Sequence, residues 1–257
     1  MTNGLRQPPP DLTIGVVGPH DLVERIMLSG AAAGPAAGVG TACLPPGAAG
    51  SGHGMARRLI GAAYRQEQEA ADKVLRLGPG IDAWLFASPV PHAYARRAGV
   101  LRAPSTWVPL SGSALYAALL SAGREGSYDP ARVSVDVLTR TDVQEAFADL
   151  GVPAAGVHTR EEPANAAALT AFHERLWRRN QITLALTCLE SVAQRLTALE
   201  VPVRVIRPTA SAIRSALRTA TLLGAQRRLE EGQLAVAVVE VPTLREVPRR
   251  AAPRQSR

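Results

Sequence analysis

Strands that stop at a small polar turn and restart as helices recur along this chain, and no other feature restricts its fold so tightly. In TIGVVGPHDLVERIM (residues 13–27) the run Ile14, Val16, Val17 has the apolarity of a strand covered on both faces. Gly18-Pro19 ends the pairing, because proline lacks the ladder donor, and Asp21 suits the N-cap of a helix over 22–28. The same order returns in IDAWLFASPVPHAYA, where a strand over 81–87 ends at Ser88-Pro89. In STWVPLSGSALYAALL a strand running to Leu110 meets the turn Ser111-Gly112-Ser113 and a helix over 114–122. RVSVDVLTRTDVQEAF, ITLALTCLESVAQRL and VRVIRPTASAIRSAL repeat it, with turns at Thr139-Arg140-Thr141, Thr187-Cys188 and Pro208-Thr209-Ala210-Ser211. Strands alternating with helices call for parallel sheets joined by helical crossovers.

The remaining segments complete the pattern. A weak strand is expected over 39–44, and a helix over 55–77, where Leu59, Ala62, Ala63, Ala70, Val74 and Leu77 recur near one face until Gly78-Pro79-Gly80 ends it. A short strand is expected over 155–158, and a helix over 163–179 carrying Leu169, Phe172, His173, Leu176 and Trp177. A long helix over 210–230 and a closing strand over 233–241 make about nine strands in all. The polar, turn-rich REGSYDPA separates two β-α-β series. The expectation is therefore α/β: two Rossmann-like lobes with parallel sheets around a cleft, lobe 1 over 12–124, a link over 125–131 and lobe 2 over 132–241. A flexible N-terminus (1–11) and a basic tail (242–257) flank them.

Charge does not redirect this reading. The formal net charge is +7, but Lys73 is the only lysine and the tail alone carries Arg245, Arg249, Arg250, Arg254 and Arg257 against Glu246. A weakly basic body with a basic tail fits better than a dedicated nucleic-acid surface, and no helix-turn-helix is visible. Cys43 and Cys188 lie far apart with no CxxC pair, which points to reduced thiols in the cytoplasm and no zinc site. No apolar run approaches the ~18 residues that would span a bilayer. No phosphate-loop ending and no GxGxxG opening a helix occurs, so no cofactor is expected.

The strand-to-helix turns carry the candidate site: Gly18, His20, Asp21, Ser88, Ser111, Ser113, Thr139, Arg140, Thr187, Cys188, Thr209, Ser211 and Arg214. Hydroxyl residues at helix starts satisfy orphan amides, so plain capping accounts for any one of them. Six polar junctions, three in each half, also suit a small anionic ligand held where strand ends face helix starts. Arg207 and Arg214 flank RPTASAIR, and Arg214 lies one helical turn beyond Ala210-Ser211, within reach of a carboxylate or phosphate. No motif brings nucleophile and base together: GSGHG, with Ser51 and His53, lies outside a strand-to-helix turn.

IGVVGPHDLVERIM, IDAWLFASPVPHAYA, VSVDVLTRTDVQEAF and the stretch from ITLALTCLE to SAIRSAL resemble the ligand-sensing region of bacterial, especially actinobacterial, one-component transcriptional regulators. The layout is similar to the two-lobed sensor of propionate-catabolism regulators, a relative of the periplasmic-binding-protein architecture, and the resemblance spans residues 12–241. It implies a small-molecule sensor that closes around its ligand, with DNA contacted only through a region absent from this sequence. Two other readings stay open. One is an isomerase or racemase-like enzyme using Cys188, although such two-lobed enzymes place a cysteine in each lobe and Ser88 and Ser111 stand at the corresponding turns of the first. The other is a homodimer joined through the edge of the strand over 233–241.

Overall fold

The computed structural model describes residues 12–32, 57–110, 112–126, 128–162 and 165–240. The first sheet is built from β1 (Leu12–Pro19), β2 (Arg57–Tyr64), β3 (Ala83–Phe86) and β4 (Ser105–Trp107), all parallel, in the order β2-β1-β3-β4. The second repeats that order as β6-β5-β7-β8, from β5 (Val133–Asp136), β6 (His158–Arg160), β7 (Leu184–Thr187) and β8 (Val203–Val205). The helices between them are α1 (His20–Ala32), α2 (Ala70–Leu77), α3 (Pro89–Arg97), α4 (Gly112–Glu125), α5 (Arg140–Asp149), α6 (Ala166–Arg178), α7 (Glu190–Ala198) and α8 (Ala210–Glu240). Two parallel-sheet α/β lobes are thus the architecture, as the alternation of strands and helices requires.

Each sheet is covered on both faces, which is why the central strands β1, β3 and β7 are buried and mostly apolar. On the first sheet, α1 and α8 bury Ile14, Val16 and Leu85 under Leu22, Ile26, Ile213 and Leu217. The other face packs Val17, Trp84 and Phe86 against Val74 of α2 and Ala95 of α3. On the second sheet, Val133, Val135 and Leu186 lie under α4 and α5, and α6 and α7 cover the reverse face.

Two helices cross between the lobes. α4 follows the first sheet, yet Ala114, Leu115, Ala118, Leu119 and Ala122 belong to the core of the second. α8 follows the second sheet and packs Ile213, Ala216, Leu217 and Ala220 on the first. Within the segment expected as a link over 125–131, Asp129 is tied to the second lobe: its amide donates to the Thr183 hydroxyl at 3.0 Å. Residues 210–220 likewise leave the second lobe for the first. Local pattern cannot reveal such an exchange, since an amphipathic stripe fits either sheet.

Three other expectations are corrected. Residues 57–64 form β2, paired along their whole length with β1, and helix begins only at Ala70. The spacing of Leu59, Ala62 and Ala63 suits a helix, but parallel pairing beside a buried strand overrides local preference. The strand expected over 233–241 continues α8 through Glu240. Extending a formed helix needs no new nucleus, so this β-branched stretch follows its neighbour, and the homodimer reading loses its strand edge. Asp21 is not an N-cap: α1 begins at His20 and Asp21 lies in its first turn. The strand expected over 39–44, with Cys43, lies outside the described residues, as do Ser51 and His53.

Candidate functional site

The carboxyl ends of β1 and β3 in the first lobe face those of β7 and β8 in the second, and a cavity of about 30 Å³ lies between them. Its wall includes Asp21, Ser88, Leu110, Cys188, Glu190 and Arg207. That space holds little more than a water molecule.

On the first lobe the strand ends meet through backbone and methyl packing. A Cβ added to Gly18 would stand 2.5 Å from the Ala87 Cβ, so only glycine lets β1 approach β3 here. Ser88 occupies the N-cap position of α3 but makes no capping bond, and among the described residues its buried hydroxyl has no hydrogen-bond partner. An N-cap hydroxyl accepts from the second or third helical amide; the third helical residue, Pro91, has none, and Ser88 makes no bond to the second, Val90. Ser88 Oγ is thereby left unbonded in a residue that lines the cavity.

The second lobe finishes its strand ends with a buried polar network. Ser134 Oγ lies 2.7 Å from His173 Nδ1, and His173 Nε2 lies 3.1 Å from Asp136 Oδ2, all three residues being wholly buried. The carboxylate only accepts, so His173 donates to it through Nε2, and its Nδ1 shares a hydrogen bond with the Ser134 hydroxyl. Asp136 Oδ1 accepts the backbone amide of Cys188 at 3.1 Å. Val137, immediately after, has φ +65°, a strained conformation for a β-branched residue that ends the strand abruptly.

Matching ladder bonds align the two lobes. Val108 N donates to Phe86 O as Ile206 N does to Thr187 O, so Cys188 stands where the first lobe has Ala87 and Leu189 where it has Ser88. Among the described residues no second thiol faces Cys188. Burial pushes the Cys188 thiol well above its usual range, helped by the negative Asp136 and Glu67. Tyr64 is raised as well, first by burial and then by Glu67 and Cys188.

Polar bridges hold the lobes together around the cavity. The Ser191 hydroxyl on α7 approaches both oxygens of the buried Glu67 carboxylate, at 2.9 and 2.8 Å. Arg207 pairs with Asp21 of the first lobe and, at 3.4 Å, with Glu190 of the second. Arg25 donates to the Pro208 carbonyl at 3.1 Å. Val90 of α3 completes the contact by joining the apolar cluster of α6 and α7.

Of the residues singled out in the sequence, the cavity brings together Asp21, Ser88 and Cys188, with Gly18 packed beside it. Thr139 caps α5 by accepting from the Asp142 amide at 3.0 Å, and Thr209 accepts from Ala212 at 3.2 Å. Thr187 is buried and accepts from the Leu189 amide at 3.2 Å. His20, Ser113, Arg140, Ser211 and Arg214 are exposed and do not line the cavity; Ser111 lies outside the described residues. Sequence reasoning missed Glu67, Glu190, Ser191 and the buried network. The signal for the network was present: Ser134 and Asp136 share one face of a doubly covered strand, and His173 sits in the apolar stripe of α6, so each needs a buried partner. Among the described residues no cluster of His, Cys, Asp or Glu suits a metal ion, and no helix is long and apolar enough to cross a membrane.

No family model matches the chain, and no curated protein matches it. Several solved structures do. The transcription regulator CcpA of Lactococcus lactis is 15% identical with a TM-score of 0.41, over 84% of this chain and 92% of that one. A LacI-family transcription regulator from Clostridium acetobutylicum is 14% identical at 0.30, over 74% of this chain and 75% of that one. An aspartate racemase homologue from Pyrococcus horikoshii is 13% identical at 0.31, over 81% of this chain and 99% of that one. Likenesses this distant assign no function.

Proposed function

We propose that this chain is a two-lobed small-molecule sensor, serving transcription regulation in the manner of the sensor regions of bacterial one-component regulators. The ligand sits between the lobes, against Ser88, Cys188 and Arg207. The observation that carries this reading is the Ser88 hydroxyl, buried at the cavity without a partner. A buried hydroxyl left unsatisfied costs about 1–3 kcal/mol, and a ligand that accepts or donates there recovers it. A metabolite needs several hundred Å³, so the lobes must part to admit it and close again with it inside. The closed form is then favoured by the ligand's differential affinity. The ligand is a small anion whose carboxylate or phosphate takes the Arg207 guanidinium, a planar fork suited to such groups, from Asp21 and Glu190. The site is cytoplasmic, and DNA is contacted through a separate region, in a layout similar to that of the propionate-catabolism regulators. The sensor reading is preferred to thiol-based isomerisation: among the described residues no second thiol faces Cys188, and burial, then Asp136 and Glu67, favour its neutral form, whereas that chemistry needs a thiolate.

A thermal-shift screen of metabolite acids, nucleotides and sugar phosphates tests the reading. A ligand at 100 times its dissociation constant adds about 2.7 kcal/mol, a clear rise in Tm. The expected hit stabilises the native chain and not Arg207→Ala; a hit that stabilises both equally contradicts the assignment of the anion.

A further inference from the structure

At the other end of the first sheet, away from the interlobe cavity, the ends of α2 and α3 and the loops entering β3 and β4 enclose a second cavity of about 500 Å³. Small-molecule sites fall in roughly the 300–1,000 Å³ range. Its floor is Trp84, only 3% exposed, whose ring lies against Gly15 so closely that a Cβ there would stand 2.4 Å from it. Val74, Ile81 and Ala103 contribute buried apolar wall, and Leu75 stands 61% exposed at the edge. Gly78, Gly80 and Gly99 shape the surrounding turns with φ of +67°, +102° and +67°, and a Cβ on any of them would meet nothing within 4 Å. Backbone conformation thus keeps these three turns clear of side chains, while Leu75 and Arg102 are exposed side chains at the edge.

Two guanidinium groups stand at this mouth. Arg227 is anchored, donating to the Ile81 carbonyl at 3.3 Å and pairing with Glu231 at 2.8 Å. Arg102 is exposed and has no ion-pair or hydrogen-bond partner among the described residues. A neutral apolar ligand covering the mouth would strip water from an unpaired cation, which is costly. An anion on the ligand removes that cost and gains a charge-assisted bond. We propose that this cavity is a second small-molecule site, for an apolar body bearing one anionic head: an aromatic or medium-chain carboxylic acid, its body on Trp84 and its carboxylate at Arg102. The inference does not depend on the interlobe reading, since the two cavities share no lining residue.

Calorimetric titration with octanoate and with 1-octanol tests it on the full chain, Arg102→Ala and Ala98→Trp. Ala98 is an exposed lining residue, so the bulky replacement fills the mouth without entering the core. The expected result is one octanoate per chain, weakened about tenfold in Arg102→Ala and abolished in Ala98→Trp, with octanol binding at least about tenfold more weakly. Circular dichroism and Tm of both variants should match the parent. Octanoate that fails to bind at millimolar concentration, that binds Ala98→Trp unchanged, or that binds no better than octanol overturns the proposal. A hit from the interlobe screen should stabilise both variants as it does the parent, which separates the two sites.

Discussion

The two lobes share one strand order and finish their cleft-facing ends by different physics. In the first, Gly18 and Ala87 close the gap by direct packing, and the helix that follows begins Ser88-Pro89-Val90-Pro91, which lacks the third helical amide and leaves Ser88 without a capping bond. In the second, Asp136 reaches from β5 to the Cys188 amide and is held by His173 and Ser134, every member of the set being bonded. The first lobe leaves a buried hydroxyl unbonded at the cavity; in the second, Ser134, His173 and Asp136 are bonded to one another and to the Cys188 amide. An unbonded hydroxyl stands where packing alone supports the strand end, and burial favours the neutral form of the thiol that lines the same cavity.

Breaking the network should have the largest effect. Asp136→Ala strands the His173 ring and the Cys188 amide inside the second lobe, and two such losses should lower stability by roughly 3 kcal/mol. Urea denaturation measures it, and a loss below about 1 kcal/mol would mean that the network does not secure this end. Gly18→Ala asks the same of the first lobe. Its methyl meets Ala87 at 2.5 Å and Val23 at 3.3 Å, and overpacking of this kind costs about 1–3 kcal/mol. The two helix starts sharpen the contrast further. Thr139→Ala removes a working cap and should cost about 1 kcal/mol, whereas a capping loss is not available at Ser88. The smallest effect concerns reactivity alone. Burial, then Asp136 and Glu67, favour the neutral Cys188 thiol, so in a Cys43→Ser background iodoacetamide should label the folded chain slowly at neutral pH. The rate should rise only above the ordinary thiol range, and Glu67→Gln, by removing a negative charge, should bring that rise to lower pH.

Much of this architecture was legible because strand, turn and helix signals are local. Ile14 to Val17 with Gly18-Pro19, and Leu184 to Leu186 with Thr187-Cys188, announce themselves through apolar runs and breakers. What escaped was non-local. Leu59 and Ala62 read as a helical face until β1 pairs beside them, and nothing in α4 or α8 says which sheet its stripe will meet. The site was half visible for the same reason. Ser88 and Asp21 were marked by their turns, but Glu67 and Ser191 acquire their roles only when the lobes meet. Arg214 illustrates the converse: it lies where a helix start suggests reach, and its exposed position leaves it off the cavity wall.

The central claim is that Ser88 is held unsatisfied for a ligand between the lobes. Titrating the strongest hit of the interlobe screen into the parent and Ser88→Ala by calorimetry, with the Tm of each unliganded chain, tests it most directly. The expected result is an affinity at least about tenfold weaker in Ser88→Ala, together with an unliganded Tm equal to or above that of the parent. Equal affinity for both chains, or a clear fall in Tm without ligand, would show that the hydroxyl serves the fold and not the site.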